Sequence, residues 1–204
     1  MFIKDYEVED IIKKSKSGSN TNFLKASHSL WIRFGNYDKH PPFALVDDNE
    51  YVSLIFATRS DRTKYVNLYE IVTLQGKEGK GYGREVWDLH AKYCIKRGMK
   101  RIKLSCTPDS IGFHKKNGLV FWSVDKQGSL RSDQPLKESS QEQIKYREQG
   151  LKNPSLLIPE EKICNKLKTE DIETLQLSNN KLMMTYQAIQ KAGDCWLRKH
   201  LFNE

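Results

Sequence analysis

The 204-residue sequence predicts a mixed α/β (α+β) fold: a mostly antiparallel sheet holding one parallel strand pair, followed by a helical C-terminal extension. Three observations carry this reading. Three apolar, β-branched or aromatic runs between residues 43 and 73 are split by turn residues. A strand, a glycine-rich turn, a helix and a second strand then follow within residues 65–106. Beyond Pro135 the texture changes to Glu-, Gln- and Lys-rich segments. The organisation expected is one domain over 1–135 and a helical extension over 136–204.

Apolar residues at helical spacing place two short helices at Glu7 to Ser15 (Val8, Ile11, Ile12) and Asn22 to Ile32 (Phe23, Leu24, Leu30, Trp31), parted by Ser17-Gly18-Ser19-Asn20. After His40-Pro41-Pro42, strands over Phe43 to Val46 and Tyr51 to Thr58 flank the turn Asp47-Asp48-Asn49-Glu50, and a second turn leads into Tyr65 to Thr73. The glycine turn Gly76 to Gly83 opens a helix with Val86, Leu89, Tyr93 and Cys94 on one face, and Gly98 stops it. Arg101 to Cys106 alternates charged and apolar residues as a strand does. A strand, helix and strand in this order form a right-handed crossover, so Tyr65 to Thr73 and Arg101 to Cys106 are expected parallel. A helix over Asp109 to Asn117, ending at Gly118, precedes a hairpin of Leu119 to Val124 and Ser129 onward that turns at Asp125 to Gly128. In the extension, helices are expected at Glu138 to Gln149, Pro159 to Lys168 and Ile172 to Phe202, the last broken near Ser178 and Gly193.

Composition excludes several classes. The chain is 38% hydrophobic and 29% charged, which is globular, and no run approaches the roughly 20 apolar residues of a membrane span. Met1 to Asp10 does not read as a signal peptide, and Cys94, Cys106, Cys164 and Cys195 have neither zinc-site spacing nor the pattern of a disulfide framework. A cytoplasmic protein without a metal is the expectation. The net charge of +8 is uneven: residues 1–131 hold 23 basic and 15 acidic residues, and 132–204 hold 11 of each. Residues 77–116 alone hold 11 basic and 4 acidic. An anionic ligand is therefore to be sought there first.

A strand that enters a glycine-rich turn and opens a helix is a device for phosphate. The helix start supplies unpaired N–H groups, and glycine lets the backbone approach the anion. The spacing fits neither GxxxxGK[ST] nor a dinucleotide fold, whose glycines follow the first strand of a doubly wound sheet. The turn Glu78-Gly79-Lys80-Gly81-Tyr82-Gly83 is similar to R/Q-x-x-G-x-G/A, with Glu at the first place. One strand later, Ser110-Ile111-Gly112-Phe113-His114-Lys115-Lys116-Asn117-Gly118-Leu119 looks like A-x-x-F/L-Y-x-K-x-G-F. Both motifs, in this order behind a meander, resemble the GNAT superfamily of acyl-CoA-dependent N-acyltransferases. The resemblance covers residues 40–130 well, 1–40 loosely and the extension not at all.

The resemblance implies that the parallel pair splays apart and that acetyl-CoA, or another acyl-CoA, is the cosubstrate. Its pantetheine would lie along Ile71, Val72 and Thr73, and its pyrophosphate on the N–H groups of Gly79 to Gly83, with Glu78, Lys80, Tyr82 and Arg84 beside it. Ser110, Phe113, Lys116 and Asn117 would complete the cofactor site, although Asn117 also reads as a helix cap. A backbone N–H around Val72 to Leu74 would polarise the thioester. Glu70, inside an apolar strand, is the base candidate; its other reading is a solvated or lysine-paired carboxylate. His114 stands where many members have the Tyr that protonates the thiolate, and otherwise reads as a helix-surface residue. Tyr82 or water are the alternatives for that step.

Cys106, Trp31, Trp87, Trp122, Phe56 and Phe121 read as core, and His90 as solvated. The acceptor stays open: an amine on a small molecule or protein, or a nucleic-acid base approached through Lys92, Lys96, Arg97, Lys100 and Arg101. A noncatalytic CoA-binding module, and a homo-oligomer formed through the helical tail, are the remaining readings.

Overall fold

Apolar residues on two helix stripes and on one parity of a three-stranded meander close the first core in the computed structural model, which describes residues 1–121, 123–124, 129–153, 156 and 179–193. The fold is mixed α/β, with a mostly antiparallel sheet that contains one parallel pair. The chain divides into two compact units, Met1–Lys100 and Arg101–Glu204.

In the first unit, α1 (Asp5–Lys14) begins where the Glu7 carboxylate accepts from the Lys4 N–H at 2.6 Å, and it buries Val8 and Ile11. Helix α2 (Ser19–Arg33) starts three residues ahead of the expected Asn22. It buries Leu24 and Trp31, whereas Phe23 and Leu30, one residue earlier and thus about 100° around the helix, stay exposed. His28 Nε2 meets Asp5 Oδ1 at 2.6 Å and ties the two helices together.

Strands β1 (Phe43–Asp47) and β2 (Glu50–Ser60) are joined by a two-residue turn, Asp48 and Asn49, both with positive φ (48° and 61°). Such a turn matches the twist of a hairpin, so both strands extend into the acidic stretch expected to be loop. Strand β3 (Tyr65–Thr73) pairs antiparallel with β2. Helix α3 (Tyr82–Lys96) buries Val86, Trp87, His90, Ala91 and Cys94 while Leu89 is exposed, so the buried face is rotated from the one expected. His90 is correspondingly not solvated. Its ring lies 3.6 Å from Cys94 Sγ, and burial lowers its pKa to about 3, which keeps it neutral.

In the second unit, β4 (Arg101–Cys106) buries Ile102, Leu104 and Cys106 and pairs antiparallel with β6 (Leu130–Pro135), against which β5 (Ser123–Val124) also pairs. Strand β5 is shorter than expected, since Leu119 to Phe121 are buried without being strand. The helix expected from Asp109 resolves into a 3-10 turn, Pro108–Ser110, and α4, Ile111–Lys116. Helix α5 (Ser140–Lys152) is capped by the Ser139 side chain, which accepts from the Glu142 N–H at 3.3 Å. Helix α6 (Asn179–Lys191) packs on α4 and the 3-10 turn, and Lys115 Nζ donates to the carbonyls of Ala192 and Gly193 at its end. Trp122, the turn 125–128 and the helix expected at 159–168 lie outside the described residues, as do the outer parts of 172–202.

Two buried glutamines organise the chain around Gly118. Gln134 accepts from the Val120 N–H at 2.8 Å and donates to the Gly118 carbonyl at 3.2 Å; Gln143 accepts from the Lys137 N–H and donates to the Pro135 carbonyl, both at 3.1 Å. Gly118 has φ +82°, and a Cβ there would come within 2.4 Å of the backbone at Gln143 and Ile144. Gly118→Ala is therefore expected to lower stability by more than about 2 kcal/mol, read as a fall in the urea midpoint. Gly112→Ala, inside α4 with nothing within 4 Å, should be neutral or stabilising by up to about 1 kcal/mol in the same assay.

Candidate active site

Strand β3 has one residue more than β2 across from it. Phe56 pairs with Glu70 and Ala57 with Leu68, which leaves Tyr69 as a bulge. Paired residues of an antiparallel ladder point to the same face, so the bulge reverses the alternation. Leu68 goes with Ala57, whereas Glu70 and Val72 go with Phe56 and Leu54 on the face covered by α1 and α2. Tyr69 reaches the same side, its ring 5.2 Å from that of Trp31. Glu70 is half-buried, without a hydrogen-bond or ion-pair partner among the described residues, and desolvation alone raises its pKa to about 7. It is neither the solvated nor the lysine-paired carboxylate of the alternative reading.

The ladder also sorts the backbone groups of β3. The Leu74 N–H donates to the Val52 carbonyl at 3.0 Å, and in antiparallel alternation Val72, opposite Leu54, faces β2 as well. Ile71 and Thr73 then direct their N–H and C=O groups to the opposite edge. In agreement, the Thr73 carbonyl accepts from Asn20 Nδ2 at 3.0 Å. The N–H groups of Val72 and Leu74 are thus unavailable to a thioester, and the expected range narrows to its centre, Thr73, with Ile71 beside it.

The glycine turn follows directly. Gly76, Gly79 and Gly81 have φ of +79°, +77° and +91°, and a Cβ at any of them would meet nothing within 4 Å. Glycine is required there by backbone conformation, and the space above it is open. Gly81 caps α3 with no side-chain bond, and the N–H groups of Gly79, Lys80, Gly81, Tyr82 and Gly83 meet no acceptor among the described residues. Helix α3 runs for 15 residues, so its dipole adds positive potential at this end. A diphosphate fits this cradle. Lys80 and Arg84 are exposed beside it.

Two side chains of the turn are directed elsewhere. Glu78, at the place of Arg or Gln in the motif, accepts from Asn20 Nδ2 at 2.5 Å. Asn20 thereby links the start of α2 to both the end of β3 and the turn, a clamp between residues 53 and 58 positions apart that no local signal reveals. The Tyr82 hydroxyl donates to Asp47 Oδ2, which raises its pKa and leaves it a poor proton donor.

In the second unit, Ser110 Oγ donates to the Thr107 carbonyl at 3.0 Å, and Phe113 and Lys116 are exposed. Asn117 is buried, and its N–H donates to the Phe113 and His114 carbonyls at 3.2 and 3.1 Å, which is a cap. His114 is not a surface residue. It is buried with its ring 5.2 Å from that of Phe113, and desolvation lowers its pKa to about 4. Only about 0.1% of it is imidazolium at pH 7, which does not fit an acid for thiolate protonation. Arg101 is also corrected: its guanidinium binds Asp133 at 2.7 and 2.9 Å in a buried pair, so it is no phosphate contact for a nucleic acid. Cys106 is buried among core residues, as expected.

The family model described as Acetyltransferase (GNAT) family matches residues 7–119. A comparison with curated proteins found no match. Among solved structures, the PaiA N-acetyltransferase of Thermoplasma acidophilum in complex with coenzyme A is similar at a TM-score of 0.53 and 13% identity, over 66% of this chain and 96% of that one. The ribosomal-protein-S18-alanine N-acetyltransferase of Escherichia coli is similar at 0.51 and 10%, over 67% and 92%. A SpeG spermidine N-acetyltransferase mutant of Vibrio cholerae is similar at 0.50 and 12%, again over 67% and 92%. At these identities the likeness is one of fold.

The raised pKa of Glu70 has a consequence for stability. A carboxyl whose folded pKa lies above its unfolded value supports the fold fully below about pH 4.5, and its contribution declines as pH rises to about 7. Glu70→Gln should therefore leave acid stability unchanged and raise stability at pH 8 by roughly 1–3 kcal/mol. Urea unfolding at pH 4 and pH 8 checks this.

Proposed function

Because the chain belongs to the GNAT acetyltransferase family, an N-acetyltransferase by that membership, we propose that it transfers an acyl group from acetyl-CoA to a primary amine by direct attack on the thioester. The observation that carries this reading is the half-buried, partnerless Glu70, one residue before the strand edge that leads into the glycine turn. The amine belongs to a small molecule or a protein.

The N–H groups of Gly79 to Gly83 hold the pyrophosphate, with Lys80 and Arg84 adding charge. The edge of Ile71 and Thr73 pairs with the pantetheine amides as an added strand would, and the Thr73 N–H polarises the thioester carbonyl. Ser110, Phe113, Lys116 and Asn117 are the contribution proposed for the second signature. Glu78 contributes through Asn20, by holding the turn against the end of β3.

An aliphatic amine of pKa near 10.4 reaches the site as an ammonium, which cannot attack. Glu70 takes its proton. Transfer to a carboxylate of pKa about 7 is uphill by about 3 kcal/mol less than transfer to one of 4.5. The freed amine then forms the C–N bond as the C–S bond breaks, and the nitrogen loses a second proton as the amide forms. The thiolate takes one proton. With a thiol pKa near 8.5 it is more basic than Glu70, so the protonated carboxyl can deliver that proton downhill. Overall, one proton ends on the thiol and one in water. His114 takes no part in this scheme.

Thiol release from acetyl-CoA across a panel of amines tests the reaction, and the absence of release with every amine would overturn it. Glu70→Gln is expected to lower turnover by about 100-fold or more while CoA affinity stays within a factor of two. The wild-type pH–rate profile should rise with an inflection near 7 that the variant loses. Gly81→Ala, which forces a left-handed φ on a residue with a Cβ, should weaken CoA binding and lower stability by about 1–2 kcal/mol.

A further inference from the structure

At the end of the β2–β3 hairpin remote from the glycine turn, a second group of cationic side chains surrounds a cavity of about 250 Å³. Lys39, Arg59 and Arg97 supply three positive charges, His40 lines it too, and the walls are Phe2, Tyr93, Met99 and Pro41. Among the described residues Asp61 is the one acid in the lining; it lies 3.8 Å from Lys64 and also acts on Arg59 and His40.

Arg59 is the unusual member. It is half-buried, with its guanidinium 5.0 Å from the centre of the Phe2 ring, and among the described residues no carboxylate lies within 4.0 Å of it. Its backbone N–H donates to His40 Nδ1 at 3.4 Å, which leaves the His40 segment, held by a bond from Trp31 Nε1 to the His40 carbonyl at 2.7 Å, against the same strand. Arg97 stacks on Tyr93, its guanidinium carbon 5.6 Å from the ring centre. Burial is the main cause that lowers the pKa of Arg59, with Arg97 adding to it and Cys94, Tyr93 and Asp61 opposing; burial followed by Arg59 lowers both His40 and His90. A guanidinium removed from water without a counterion is unfavourable, and an anion accepting its planar fork would relieve this.

We propose that this cavity is a binding site for a small organic anion, a carboxylate or phosphate head on a flat apolar body. The head would meet Arg59 and Arg97, and the body would lie between Phe2, Tyr93 and Met99. The volume admits roughly eight to ten non-hydrogen atoms, too few for CoA. The site is separate from the cradle at Gly79 to Gly83 and does not depend on the acyl-transfer reading.

Calorimetric titration of the full chain with phenyl phosphate and with benzoate, each in the presence of saturating CoA, tests the site. Saturable binding of one anion per chain, at least tenfold weaker in Arg59→Met and in Arg97→Gln and unchanged in Lys25→Ala, an exposed lysine of α2, is expected; benzyl alcohol should not bind. Arg97 is exposed on the rim, so Arg97→Gln keeps the test valid if Arg59→Met fails to fold. No saturable binding of either anion, binding that survives Arg97→Gln at full affinity, or binding of an oligonucleotide alone would overturn the proposal.

Discussion

The single extra residue at Tyr69 is the constraint on which the candidate active site rests. A regular β3 would keep Leu68, Glu70 and Val72 on one face, and the bulge instead parts Leu68 from Glu70 and Val72, which lie with Phe56 and Leu54. There Glu70 is shielded from water enough to titrate near neutrality, yet close to a strand edge whose groups at Ile71 and Thr73 are not used by β2. One local irregularity thus accompanies the half-buried setting of the carboxyl proposed here as the base.

Conformation and charge cooperate in the turn that follows. Positive φ at Gly79 and Gly81 turns a row of N–H groups outward at the start of α3, and the lack of any side chain there keeps them accessible. Asn20 holds that arrangement to the end of β3 through Glu78 and the Thr73 carbonyl. Glu at the position of Arg or Gln is thereby a structural choice: its carboxylate serves the clamp, and the phosphate role proposed here falls to the backbone.

The second unit shows the same economy of polar groups. Gln134 and Gln143 satisfy backbone groups around Gly118 that no strand or helix reaches, which fixes the close approach of the second signature to α5. Lys115 binds the carbonyl end of α6, and Arg101 neutralises the buried Asp133. Part of the positive surplus of residues 77–116 is therefore structural, which a count of charges along the chain does not reveal.

The sequence by itself determined the order of elements, because alternation, helical spacing and glycine punctuation are local signals, and it marked the glycine turn, whose requirement for positive φ is written in residue type. It also singled out Glu70 as a charge inside an apolar strand. Only the tertiary structure decided which face Glu70 takes, since a bulge is a mismatch between two strands and exists in neither alone. Likewise His90 and His114 are neutral because distant segments bury them, and Arg101 is committed because Asp133, 32 residues away, lies opposite. Arg59 and its cavity were invisible for the same reason: Phe2, His40, Arg59 and Arg97 meet only when the chain is folded. Burial and partnership are properties of the packed molecule, and they set the chemistry of each ionisable group.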